Sequence, residues 1–235
     1  MQPHDTVLLD VDGTLADSSY HHSLAWHRAF ARQGPPTAIW RLHRALGMGG
    51  DKLVAVVSGA DVEARHGDAL RAAWEEEYAG LLEGVGLLPG ARELLLHLHG
   101  LGFALALASS GKARFTEHVV ELLDLPEGTL AAVTSSDDAE ESKPEPDILQ
   151  VALERAGGSS AIVLGDTPYD VASAARMGAP CVVVRSGGFG AAELESAGAV
   201  LVVDEPADLL DADWAALARS TPPTRAARTH SPLPD

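Results

Sequence analysis

The segment Leu8-Leu9-Asp10-Val11-Asp12-Gly13-Thr14-Leu15 sets two carboxylates two residues apart, where an apolar run gives way to glycine. In extended backbone, residues i and i+2 point to the same side. Asp10 and Asp12 can therefore converge past the end of the run, and Gly13 lets the chain turn. Like charges this close repel unless a cation or a proton lies between them; two loop carboxylates facing water are the other reading. A third acidic site, Gly165-Asp166-Thr167-Pro168-Tyr169-Asp170, also follows an apolar run. Thr167 and Pro168 carry the N-cap and first-position signature of a helix, which leaves Asp170 the alternative of a first-turn acid held by the helix N-terminus. Asp10, Asp12 and Asp166 form an all-oxygen set suited to hydrated Mg²⁺ wherever their two runs are neighbours. Leu105-Ala106-Leu107-Ala108-Ser109-Ser110-Gly111 ends in hydroxyls and backbone N–H groups, a cradle for phosphate oxygens or a simple helix cap. Lys143, ahead of Pro144, places one cation in a stiff turn, as a phosphate ligand or as a solvated charge.

These residues need strand ends to carry them. Nearly continuous apolar runs predict strands at Thr6–Asp10, Phe103–Ala108, Ala131–Thr134, Ala161–Gly165, Pro180–Arg185 and Val200–Val203, as for strands covered on both faces. Between them run helical stripes: Phe115, Val119, Leu122 and Leu123; Leu94, Leu98 and Leu101; Ile148, Leu149, Ala152 and Leu153. Alternating strand and helix predicts an α/β fold with a doubly wound parallel sheet, whose ligands bind beyond the carboxyl ends of the strands. From Asp17 to Glu83 the pattern is helical only and holds Trp26, Trp40 and Trp74. The expected division is a core of residues 1–16 and 85–219, a small all-helical insertion at 17–84, and a proline-rich tail at 220–235.

The chain of 235 residues carries 17 Lys+Arg against 34 Asp+Glu, a net charge of −17. That charge disfavours nucleic acid and anionic membrane surfaces, since no dense basic patch offsets it. No apolar run approaches the ~20 residues that span a bilayer, and the N-terminus lacks the pattern of a signal peptide. Cys181 is alone and sits in an apolar run, which predicts a buried thiol. A cytoplasmic protein, acting as a monomer, is the expectation.

In order and placement, these segments resemble the haloacid dehalogenase-like superfamily, in its phosphatase branch with a helical cap inserted after the first strand. The resemblance spans about residues 5–205 and rests on Asp-Val-Asp-Gly-Thr-Leu, Ser109, Lys143-Pro144 and Gly-Asp-(three residues)-Asp. It implies a Rossmann-like core and a Mg²⁺-dependent phosphatase acting on a small phosphorylated metabolite, of phosphoglycolate or sugar-phosphate type. It implies Asp10 as the nucleophile that forms an aspartyl-phosphate and Asp12 as general acid and base. Mg²⁺ would be held by Asp10, the Asp12 backbone carbonyl, Asp166 and Asp170, and phosphate by Ser109, Ser110 and Lys143. Asp12 argues against dehalogenation, where a halide leaving group needs no acid. A sugar phosphomutase of the β-phosphoglucomutase type shares the same core residues, and a catalytically silent binding module is the third alternative.

In the cap, Arg41, His43, Arg44 and Lys52 surround Gly47-Met48-Gly49-Gly50. Arg44, Gly47, Gly49 and Lys52 are the candidate substrate contacts, with solvated charges around a glycine turn as the alternative. His21 and His22, near the hinge, read as exposed helix histidines, with contact to a ligand as the alternative. Asp137, Asp138, Glu140 and Glu141 read as a solvated acidic loop, and Gly187-Gly188-Phe189-Gly190 as a glycine turn without a cofactor.

Overall fold

Six short strands form one parallel sheet in the order β3-β2-β1-β4-β5-β6. They are β1 (Thr6–Leu9), β2 (Ala104–Ala108), β3 (Ala132–Thr134), β4 (Ala161–Gly165), β5 (Cys181–Val184) and β6 (Leu201–Val203). The computed structural model describes residues 3–222, so residues 223–235 of the expected tail lie outside the described ones. All six expected strands are present, most a residue shorter at one or both ends; Asp10 and Arg185 fall just past their strands. Small and β-branched residues suit strands buried on both faces, and β1, β4 and β5 are buried throughout.

Helices cover both sides of the sheet. In chain order they are α1 (Ser19–Gln33), α2 (Ile39–Arg44), α3 (Gly50–Ser58), α4 (Ala60–Ala79), α5 (Ala91–Gly100), α6 (Ala113–Leu123), α7 (Asp147–Arg155), α8 (Pro168–Met177), α9 (Ala191–Ala197) and α10 (Trp214–Leu217). Successive strand residues point to opposite faces. Val7 and Leu9 therefore pack with Leu94, Leu98, Phe115 and Trp214, while Leu8 packs with Ile148, Leu149 and Val171 on the other side. Two stripe positions fall outside the core. Leu122 is 38% exposed and Leu101 is 52% exposed, because α6 buries the row Phe115–Val119–Leu123 and α5 stops at Gly100. No helix among the described residues is long and apolar enough to cross a membrane.

The helices α1 to α4 lie between β1 and β2 and carry a cluster of their own: Trp26, Phe30, Leu42, Leu53, Val54 and Leu70. As expected, the insertion holds no strand. Its two crossings run side by side, with the Asp17 amide donating to Gly86 O (2.9 Å) and the Leu88 amide to Leu15 O (2.9 Å).

The sheet order places β2 and β4 on either side of β1, in register at Leu9↔Leu107 and Leu9↔Leu164. Ser109, Asp10 and Asp166 follow these strands directly, so neighbouring strands bring all three to one edge. The order also reverses here, at the switch point where parallel sheets open a crevice.

Candidate active site

Asp10 continues the ladder past β1, its amide donating to Leu164 O at 2.9 Å. Its carboxylate is buried and accepts from the Lys143 ammonium. Lys143 is only 1% exposed and makes a second ion pair, at 2.7 Å, with Asp170 Oδ1. The other oxygen of Asp170 closes the first turn of α8, accepting from the Thr167 hydroxyl (2.6 Å) and the Thr167 amide (3.0 Å). Asp170 is thus at once the first-turn acid of α8 and an ion-pair partner of Lys143. A methyl on Gly165 would stand 2.8 Å from Asp170 Oδ2, so glycine lets this carboxylate lie against the strand.

Asp166 is buried beside them and accepts from Thr14 Oγ1 at 3.2 Å. Two backbones press on it. A methyl on Gly13, in the left-handed region at φ +80°, would lie 2.9 Å from Asp166 Cγ, and one on Gly187 would lie 2.6 Å from the same atom. Carboxylate oxygens of Asp10, Asp166 and Asp170 all come within 4.8 Å of one another. Burial pushes Asp10 up to about 7, with the Lys143 charge pulling against it and Asp170 adding to the rise. Burial, then the charges of Asp170 and Asp10, lift Asp166 well above the carboxylate range. Burial works against the charge on Lys143, but the two aspartates outweigh it and raise its affinity for its proton. Three buried carboxylates against one ammonium leave negative charge uncompensated, and the all-oxygen set fits a hard divalent cation.

Asp12 faces elsewhere. Its Oδ1 accepts from Ser18 Oγ at 2.6 Å and lies 2.9 Å from His22 Nε2. Burial alone would raise Asp12, but His22 and the Ser18 hydroxyl outweigh it and hold the carboxyl below its ordinary value. Here the structure corrects the sequence reading: His22 is buried, not exposed. Its ring lies flat on Tyr78 (centroids 3.8 Å, 12° between planes) and near Trp74 (5.6 Å). Histidine's position at the neck and its aromatic neighbours on α4 are tertiary facts that helical spacing does not encode. Ser109 accepts from the Gly111 amide at 3.0 Å, and a methyl on Gly111 would stand 3.3 Å from Asp12 Oδ2. Ser109, Gly111 and Asp12 are therefore adjacent. The Ser110 hydroxyl is buried without a partner.

The candidate residues of the insertion are placed as follows. Gly47 (φ +97°) lies against Thr167 and, with Met48 and Gly50, lines a small cavity over Asp10, Asp12 and Asp166. Gly49 borders the adjoining larger one. Arg44 pairs with Glu193 and stands 4.6 Å over the Phe189 ring, while His43 Nε2 lies 2.9 Å from Gly187 O. Lys52 donates to Ser142 O (2.7 Å) and pairs with Glu141 (3.0 Å), beside Asp51, which accepts from the Ser142 hydroxyl (3.0 Å). Arg44 thus bridges the insertion to α9, and Lys52 bridges it to the core loop at 141–142. The acidic loop is not merely solvated: Asp138 pairs with Arg155 at 2.6 Å and Asp137 with Lys112 at 3.2 Å. Sequence reasoning gave no role to Ser18 or Gly187, and for His22 offered only a ligand contact as the lesser alternative; for Gly187 the available signal was the glycine-rich turn after a strand.

The family model for haloacid dehalogenase-like hydrolases matches residues 4–178, and the chain belongs to that family. Phosphoglycolate phosphatase of Rhodospirillum rubrum is 31% identical over 219 residues, covering 88% of this chain and 89% of the relative. N-acetylmuramic acid 6-phosphate phosphatase of Pseudomonas putida is 30% identical over 208 residues, covering 86% and 93%. A hydrolase from Pseudomonas syringae superposes with a TM-score of 0.82 at 32% identity, covering 88% of this chain and 96% of that one.

Proposed function

We propose that this protein is a Mg²⁺-dependent phosphatase that hydrolyses a small phosphorylated metabolite, of phosphoglycolate or sugar-phosphate type, through an aspartyl-phosphate. The observation that carries this reading is the division of labour at one strand edge. Asp10 clusters with Lys143, Asp166 and Asp170, while Asp12 is turned away and tuned by His22 and Ser18.

Asp10 attacks phosphorus: a bond forms between its carboxylate oxygen and phosphorus as the bond to the ester oxygen breaks. Asp12 gives a proton to the departing alkoxide. A phosphate dianion arriving beside Asp12 favours its protonated form, because like charge raises a carboxyl's proton affinity. The ionised Asp12 then takes a proton from the water that attacks phosphorus and frees Asp10. His22 and Ser18 hold the Asp12 oxygen they touch, which leaves its other oxygen for the substrate. Lys143, Ser109 and Ser110 receive the non-bridging oxygens and stabilise the charge that grows on them. Mg²⁺, held by Asp10, Asp166, Asp170 and the Asp12 backbone carbonyl, would offset the repulsion between the attacking carboxylate and the phosphate dianion. The helical segment 17–84 caps the site and excludes water.

The test is hydrolysis of p-nitrophenyl phosphate and a panel of phosphorylated metabolites, with Mg²⁺ and with a chelator, by the natural protein and by Asp10→Asn. Mg²⁺-dependent phosphate release that Asp10→Asn abolishes while keeping the thermal transition supports the reading. Full activity in Asp10→Asn removes the nucleophile.

A further inference from the structure

Beyond the pocket at Asp10 and Asp12, the crevice between insertion and core opens into a cavity of about 490 Å³, in the range of small-molecule sites. The two spaces share Gly50, Trp74 and Ser110. On the phosphatase reading above, the larger cavity is the space left for the group that carries the transferred phosphoryl.

The walls of this cavity are acidic. Asp51, Asp68, Glu75, Glu140 and Glu141 line the cavity against two cations, Arg71 and Lys112. Neither cation is spare. Arg71 pairs with Glu63 (2.9 Å) and Asp68 (2.8 Å) and donates to Gly50 O (3.2 Å); Lys112 pairs with Asp137. Lys52 at the rim is held by Glu141 and Ser142. The N-terminus of α3 also faces this space, but its first turn already carries Asp51. A carboxylate bound here would meet like charge without a counter-ion. The walls do offer neutral hydrogen-bonding groups in need of partners: the Trp74 indole N–H and the Ser136 hydroxyl are buried and unpartnered. Buried polar groups of this kind are normally satisfied, and a hydroxyl can both donate to and accept from them.

We propose that the part of the substrate beyond the phosphate is an uncharged polyhydroxyl group, so that the enzyme takes neutral sugar phosphates in preference to phosphorylated carboxylates such as phosphoglycolate. This inference rests on the phosphatase reading above. Its test compares kcat/KM of the Mg²⁺-loaded full chain for glucose 6-phosphate, mannose 6-phosphate, phosphoglycolate, 3-phosphoglycerate and p-nitrophenyl phosphate. The sugar phosphates are expected to exceed both carboxylates by at least about tenfold. Equal or better turnover of the carboxylates overturns this inference and leaves the phosphatase reading standing, as does turnover of the aryl phosphate with neither sugar accepted. No Mg²⁺-dependent turnover of any of the five overturns both. Glu140→Lys, in an exposed loop of the wall, is expected to raise the phosphoglycolate-to-glucose-6-phosphate ratio of kcat/KM by about fivefold. A structural effect would lower both substrates together, and an unmoved ratio removes the charge argument.

Discussion

Replacing Gly187 by alanine tests the proposed metal site without touching a single carboxylate. The added methyl would stand 2.6 Å from Asp166 Cγ and 2.8 Å from its Cβ, against the 3.5–4.0 Å at which carbon atoms pack. Asp166 must retreat by about 1 Å, and it cannot do so freely, since Thr14 holds one oxygen and the Gly13 backbone also lies close against its carboxyl. A misplacement of about 1 Å in a catalytic group costs on the order of a hundredfold in rate. We expect kcat/KM for p-nitrophenyl phosphate to fall by about that factor, and half-saturating Mg²⁺ to rise by about tenfold or more. Gly190→Ala is the control: it lies in the same loop with φ −74°, and its methyl meets nothing within 4 Å. Metal titrations of both variants, alongside their melting temperatures, separate a damaged site from a damaged fold. Natural Mg²⁺ dependence in Gly187→Ala would remove Asp166 from the cation's shell.

Three further perturbations follow from the same geometry. Lys143→Met leaves Asp10 and Asp170 buried without their cation; urea unfolding should show a loss of about 3–5 kcal/mol at pH 8, and a smaller loss at pH 5, where Asp10 can take up a proton. His22→Phe keeps a ring on Tyr78 but removes the partner of Asp12. The Asp12 carboxyl then titrates higher, so its limb of the pH–rate profile should move upward while the melting temperature holds; an unmoved limb would separate His22 from the proton transfer. Finally, Asp10 binds its proton more tightly in the folded protein, at about 7 against an ordinary 3.8. In metal-free protein this raised affinity costs stability as pH climbs from about 4 to about 7, and a cation must displace the proton. Mg²⁺ affinity should therefore fall as pH drops below about 7, which calorimetric titration at pH 5.5 and 7.5 would reveal; equal affinities would contradict it.

The strands were legible because a parallel sheet buried on both faces writes itself as apolar runs, and Asp10, Ser109 and Asp166 were legible because each sits immediately after one. Lys143 was harder. A lysine before proline is usually solvated, and only the fold shows two buried aspartates closing on it. His22 was misread for a related reason: α1 enters at the neck, so its first turn faces the site and α4 supplies Tyr78 and Trp74 as a floor. The cations of the insertion looked available to substrate, yet Arg44 and Lys52 find partners more than 80 positions away in the chain. Such pairings depend on how the insertion folds back over the core, which no local pattern records.

Asp170 joins two tasks in one small side chain, one oxygen fastening the opening turn of a helix and the other facing the ammonium that pairs with Asp10. No single replacement can adjust these independently. Asparagine would keep a hydrogen-bond acceptor for the turn but discard the charge, and glutamate would keep the charge but push it a bond-length further from both. Helix start and ion pair therefore share one carboxylate, and a change at Asp170 alters the first turn of α8 and the surroundings of Asp10 together.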